Sequence, residues 1–66
     1  MPEFNSTEEF LIKGHEVYVC RIPDRARTPK PGDDIVLNGF PRRVKAVERF
    51  KNTFDGGLTD NVGIEV

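Results

Sequence analysis

Few side chains in this chain are of a type that does chemistry, and their spacing limits what each can do. His15 is the only histidine and Cys20 the only cysteine. A histidine is a ready general base or metal ligand, but no Cys, His or acidic pair stands at metal-ligand spacing from His15. Its place between Gly14 and Glu16 makes it a turn residue, expected exposed and inert. Cys20 falls in an apolar strand, where a free cysteine behaves as a small hydrophobe. A reactive thiolate would need a cation beside it, and the adjacent Arg21 points to the opposite face of a strand. Asp33-Asp34 carries charge enough for a cation, yet Asp33 after Gly32 is a turn-fixing residue. Asp60-Asn61 also reads as turn chemistry. Glu48 is the carboxylate of most interest, on a strand where it would stand at the surface near Ile12 and Val17. No nucleophile–base pair, metal cluster or Gly-x-x-x-x-Gly-Lys-Ser/Thr phosphate loop is present. The expectation is a non-enzyme with no catalytic residue, no metal, no cofactor and no bound nucleotide.

The elements that would position these residues must come from 66 residues, enough for one domain. A chain of this size buries only about 60% of its unfolded surface, so its stability is modest. Apolar residues make up 36% and the net charge is −1, which is not the composition of a disordered chain. No run approaches the roughly 18 apolar residues of a membrane span. One cysteine makes no disulfide framework. The N-terminal Met1-Pro2-Glu3-Phe4 has no apolar signal core, so a cytoplasmic location is expected by exclusion. Charge is uneven: residues 1–20 carry −3, residues 21–51 carry +5, and residues 52–66 carry −3. Arg25, Arg27, Lys30, Arg42, Arg43 and Lys45 are a candidate basic patch for phosphate or an acidic partner. The competing reading is that these charges face water and interleave with acids.

Residues 1–7 read as a flexible tail and 8–66 as a single domain. Glu8 to Lys13 and Glu16 to Ile22 read as strands separated by Gly14. Pro23, Pro29 and Pro31 keep residues 23–34 a loop. Asp34 to Leu37 is a short strand ending at Asn38-Gly39, a hairpin turn signal. Val44 to Phe50 is a strand with a phase break that suggests a bulge near Ala46-Val47. Val62, Ile64 and Val66 alternate as the buried side of a final strand. Most of the five Phe are expected in the core, with Tyr18, Phe40 and Phe50 as candidates either for core or for a stacking platform. No helical period is present. The fold class is all-β, expected as a small closed antiparallel barrel of five to six strands.

Four segments in order carry a more specific signal: Phe10-Leu11-Ile12-Lys13-Gly14, Lys30-Pro31-Gly32-Asp33-Asp34-Ile35, Val44-Lys45-Ala46-Val47-Glu48-Arg49-Phe50 and Asp60-Asn61-Val62-Gly63-Ile64-Glu65-Val66. From Phe10 to Val66 the chain resembles the second domain of elongation factor Tu and other translational GTPases, a β-barrel that follows the nucleotide-binding domain. That resemblance implies a pocket for the terminal adenosine of tRNA at Ile12, Gly14, Val17, Glu48, Lys51 and Glu65. Asn61 and Phe10 match positions near the esterified amino acid. Apolar walls and a bare glycine suit a base, and a Glu can accept from a ribose hydroxyl.

The departures are specific. Lys51 stands where the family commonly has Arg, so the planar fork is lost. Glu65 stands where the family has an apolar residue. Gly14-His15-Glu16-Val17 is one residue shorter than the family's Gly-x-Gly-Thr-Val turn, and the 23–31 loop is longer and more basic. The GTPase domain that clamps the other side of the tRNA end is not in this sequence, and at Val66 the family continues a short distance, as a fragment would show. Two functions follow as expectations: a stand-alone binding module for RNA or a ribonucleoprotein, or a protein-interaction domain that docks on another chain or on itself. Neither involves a membrane.

Overall fold

The computed structural model describes residues 1–52 and 54–66. The chain is all-β, with seven strands among the described residues and one short 3-10 turn at Arg25–Arg27. The strands are β1 (Glu3–Phe4), β2 (Ser6–Ile12), β3 (His15–Arg21), β4 (Asp34–Leu37), β5 (Phe40–Arg43), β6 (Ala46–Lys51) and β7 (Leu58–Glu65). They form two sheets, one in the order β1-β4-β5 and one in the order β2-β3-β7-β6. The strand count exceeds the expected five to six, and one pair, β1 with β4, is parallel where antiparallel pairing was expected.

Local turn chemistry explains the hairpins. Lys13 (φ 49°) and Gly14 (φ 82°) join β2 to β3, and Asn38 (φ 53°) and Gly39 (φ 86°) join β4 to β5. Positive φ at both central residues is the turn that matches the twist of adjacent strands. Asp33 fixes the preceding loop as expected: its carboxylate accepts from the Lys30 N–H at 2.9 Å.

The core lies between the sheets. Ile35 and Leu37 of β4 face Val62 and Ile64 of β7, with Phe4, Cys20, Ile22, Val44 and Val66 closing the cluster. Tyr18 and Val47 pack against it from the four-stranded sheet. Alternation delivers each of these side chains inward, while most of their neighbours turn to the other face; Val19 on that face is itself buried at 6%.

Four expectations are corrected. Residues 1–7 are not a tail: Phe4 is 8% exposed, the Pro2 carbonyl accepts from Val36 N–H, and β2 begins at Ser6. The buried ring and the backbone bonds to β4 offset part of the entropy cost of ordering this short strand. The bulge is not at Ala46-Val47, which pair regularly with Glu65 and Ile64; the irregularity falls between Arg49 and Lys51. What breaks the phase is Val44-Lys45, where the chain leaves one sheet for the other. Val44 bonds to Asp33 and Gly32, while Lys45 N–H donates to the Glu65 carbonyl. Asp60-Asn61 is not a turn but the middle of β7, with Asn61 opposite Arg21. Of the five Phe only Phe4 is core; Phe10, Phe40, Phe50 and Phe54 are exposed, because aliphatic side chains from alternating positions already fill the interior. Among the described residues no helix is long and apolar enough to cross a membrane.

Candidate functional site

The register of the four-stranded sheet builds one broad outer face, opposite the core. Phe10, Val17, Glu65 and Ala46 form one cross-strand row, and Glu8, Val19, Gly63 and Glu48 form the next but one. Directly opposite residues in antiparallel strands share a face, so these rows stand together. Ile12 and His15 continue the face at the β2–β3 turn, and Arg21 and Asn61 at the other end. The intervening row, Tyr18, Ile64 and Val47, belongs to the core side.

Within that face, Val17, Ala46, Glu48, Phe50, Gly63 and Glu65 line an open depression of about 320 Å³. Gly63 makes it possible. A Cβ at this position would stand 3.1 Å from Phe50 Cζ and 3.5 Å from Val17 Cγ1. The absent side chain lets the Phe50 ring reach across β7, and the ring in turn covers the glycine. A glycine inside an otherwise apolar strand marks such close approaches. The glycine between Val62 and Ile64 is the sequence signal for this position.

Two carboxylates rim the depression. Glu65 reaches His15 Nδ1 at 3.2 Å, an exposed contact. Glu48 is exposed and, among the described residues, has no ion pair. Arg49 turns inward. Its guanidinium donates to the carbonyls of Ile22 and Thr59, each at 2.9 Å, and to Thr28 Oγ1 at 2.7 Å.

Of the residues expected in a pocket, Val17, Glu48 and Glu65 therefore meet in one depression. Phe10, Ile12 and Asn61 share its face but lie outside it. Gly14 is in the β2–β3 turn and Lys51 lies past the β6 irregularity opposite Leu58, and neither lines it. The candidate basic patch is not one surface of free charge. Arg42 is held by Glu16 at 2.9 Å and Arg43 by Asp34 at 3.1 Å, on opposite faces of β5. Arg25, Arg27, Lys30 and Lys45 are exposed. Arg27 borders a second, mixed-charge depression with Glu3, Arg21 and Asp24.

Three titrations are perturbed by their surroundings: Glu16 and Arg42 through their shared hydrogen bond, which raises the Arg42 pKa, and Cys20 through burial. The hydrogen bond and charge of Arg42, helped by the Tyr18 hydroxyl at 3.3 Å, hold the Glu16 carboxyl below the usual carboxylate range. Burial pushes the Cys20 thiol up, the opposite of activation. Among the described residues no group of three His, Cys, Asp or Glu is placed to hold a metal ion. No known family model matches the chain, and neither a curated protein nor a solved structure does.

Proposed function

We propose that the outer face of the four-stranded sheet is the working surface of a non-catalytic binding module, and that its ligand is the unpaired end of an RNA, free or in a ribonucleoprotein. The observation that carries this reading is the Phe50–Gly63–Val17 depression with Glu48 and Glu65 at its rim. An aromatic ring and a valine supply an apolar seat for a nucleobase. Carboxylates accept from the donors of a terminal nucleoside, its ribose hydroxyls and exocyclic amine, and repel phosphate. The terminal nucleoside would enter and the phosphodiester chain would stay outside the carboxylate rim. The resemblance to the second domain of elongation factor Tu supports the same face. In that reading the two sheets, which share one core, are the wall of a small closed barrel.

An NMR titration with a short RNA ending in CCA tests this. Shifts concentrated on Val17, Glu48, Phe50, Gly63 and Glu65 are expected, with shallow salt dependence because few phosphates are contacted. Absence of shifts, or shifts confined to Arg25, Arg27 and Lys30, overturns it. A second reading, protein docking, is favoured by one observation: Phe10, Leu11 and Ile12 are 46%, 74% and 58% exposed on consecutive positions of β2.

A further inference from the structure

The β2 strand lies at one edge of its sheet. Ile12 and His15 flank a two-residue turn, so they exchange hydrogen bonds, and alternation then turns the N–H and C=O of Leu11 and Glu9 away from β3. An edge with free backbone groups and three exposed apolar side chains is a template for another strand. Charge along it is ordered: Glu8 and Glu9 precede the apolar triplet and Lys13 follows it.

We propose that the chain forms a two-fold dimer by antiparallel pairing of β2 with β2 of a second copy, centred on Leu11. A two-fold axis normal to a continuous sheet requires one residue to oppose itself. With Leu11 opposite the partner's Leu11, its outward N–H and C=O form a mutual pair. Phe10 then meets the partner's Ile12 on the outer face, and Ile12 the partner's Phe10. Glu9 then stands beside the partner's β2–β3 turn, within reach of its Lys13 side chain, and the partner's Glu9 beside Lys13 in the same way. Centring on Phe10 instead sets Glu9 against the partner's Leu11 and Glu8 against the partner's Ile12, leaving carboxylates against apolar groups. Charge complementarity thus selects both the occupant and the register. The Leu11 pair also covers a depression bordered by Glu9, Glu16, Tyr18 and Arg42 on the other side of the sheet. Each copy spends its one β2 edge, so the assembly closes at two. This inference does not depend on RNA binding.

Sedimentation equilibrium from micromolar to millimolar protein, with circular dichroism to verify folding, tests it. The unaltered chain is expected to dimerise. Glu9→Lys alone and Lys13→Glu alone each place like charges opposite one another and are expected to weaken the dimer about tenfold. The double variant restores the ion pairs in reversed sense and is expected to recover the original affinity. A strict monomer, species larger than a dimer, or a dimer indifferent to the single changes overturns the proposal. So does a folded double variant as weak as the singles.

Discussion

Arg49 Nη1 donates to the carbonyl of Ile22 at 2.9 Å, and this bond ties β6 to the point where β3 runs out into the proline-rich loop. The same guanidinium reaches Thr59 and Thr28, so one cation satisfies three neutral oxygens and no carboxylate. Removing it strands acceptors in a half-buried place. Arg49→Ala is expected to cost about 1–3 kcal/mol in urea denaturation. Arg49→Lys should recover only part, because an ammonium lacks the planar fork that spans the three positions.

Acid should weaken the contact between the two sheets. Glu16 on β3 accepts from Arg42 on β5 and has a lowered pKa. A depressed carboxylate contributes stability that is complete above its unfolded pKa, about 4.3, and lost as pH falls through the folded value. The urea midpoint of the parent should therefore fall more steeply below about pH 4.3 than that of Glu16→Gln, which has no such titration. Parallel curves would remove Glu16 from the acid response.

Cys20 is 1% exposed with its thiol pushed up by burial. A raised pKa contributes stability present below the unfolded value, about 8.5, and lost as pH rises through the folded one. The folded chain should react with a disulfide reagent only as fast as it opens, and its stability should decline above about pH 8.5. Cys20→Ala should flatten that alkaline decline.

Gly63→Ala should separate the depression from the fold. The new methyl meets the far end of the Phe50 side chain, which is 38% exposed and can swing outward. Better strand propensity offsets the lost contact, so stability is expected to change by less than about 1 kcal/mol. Nuclear Overhauser contacts from the Phe50 ring to Val17 should disappear, and RNA-induced shifts at Glu48 and Glu65 should weaken with them. Retained shifts would place the ligand elsewhere.

How far the residues alone disclosed this arrangement follows from how local each determinant is. Asp34–Leu37 and the turn at Asn38-Gly39 were readable because both central residues must tolerate positive φ. The alternation of Val62, Ile64 and Val66 announced a buried face. The β1–β4 pairing was not readable, since two residues carry no period and their partner is far away in sequence. Arg49 was legible only as a surface charge, because its acceptors are backbone oxygens that converge after folding. The same holds for the site. Val17, Glu48 and Glu65 were named from a resemblance, whereas Phe50 enters the depression through space opened by Gly63 in the neighbouring strand.

Ser6 and Asn38, 32 residues apart, hold each other twice: Asn38 Oδ1 accepts from the Ser6 N–H at 2.8 Å, and Asn38 Nδ2 donates to Ser6 Oγ at 2.9 Å. Asn38 is also the residue that turns the β4–β5 hairpin. The hairpin that receives the Phe4 strand stands half a chain away in sequence. The Ser6–Asn38 clasp thus fastens the Phe4 strand to the turn of a hairpin 32 residues away, so one side chain serves both the hairpin and the edge of the core.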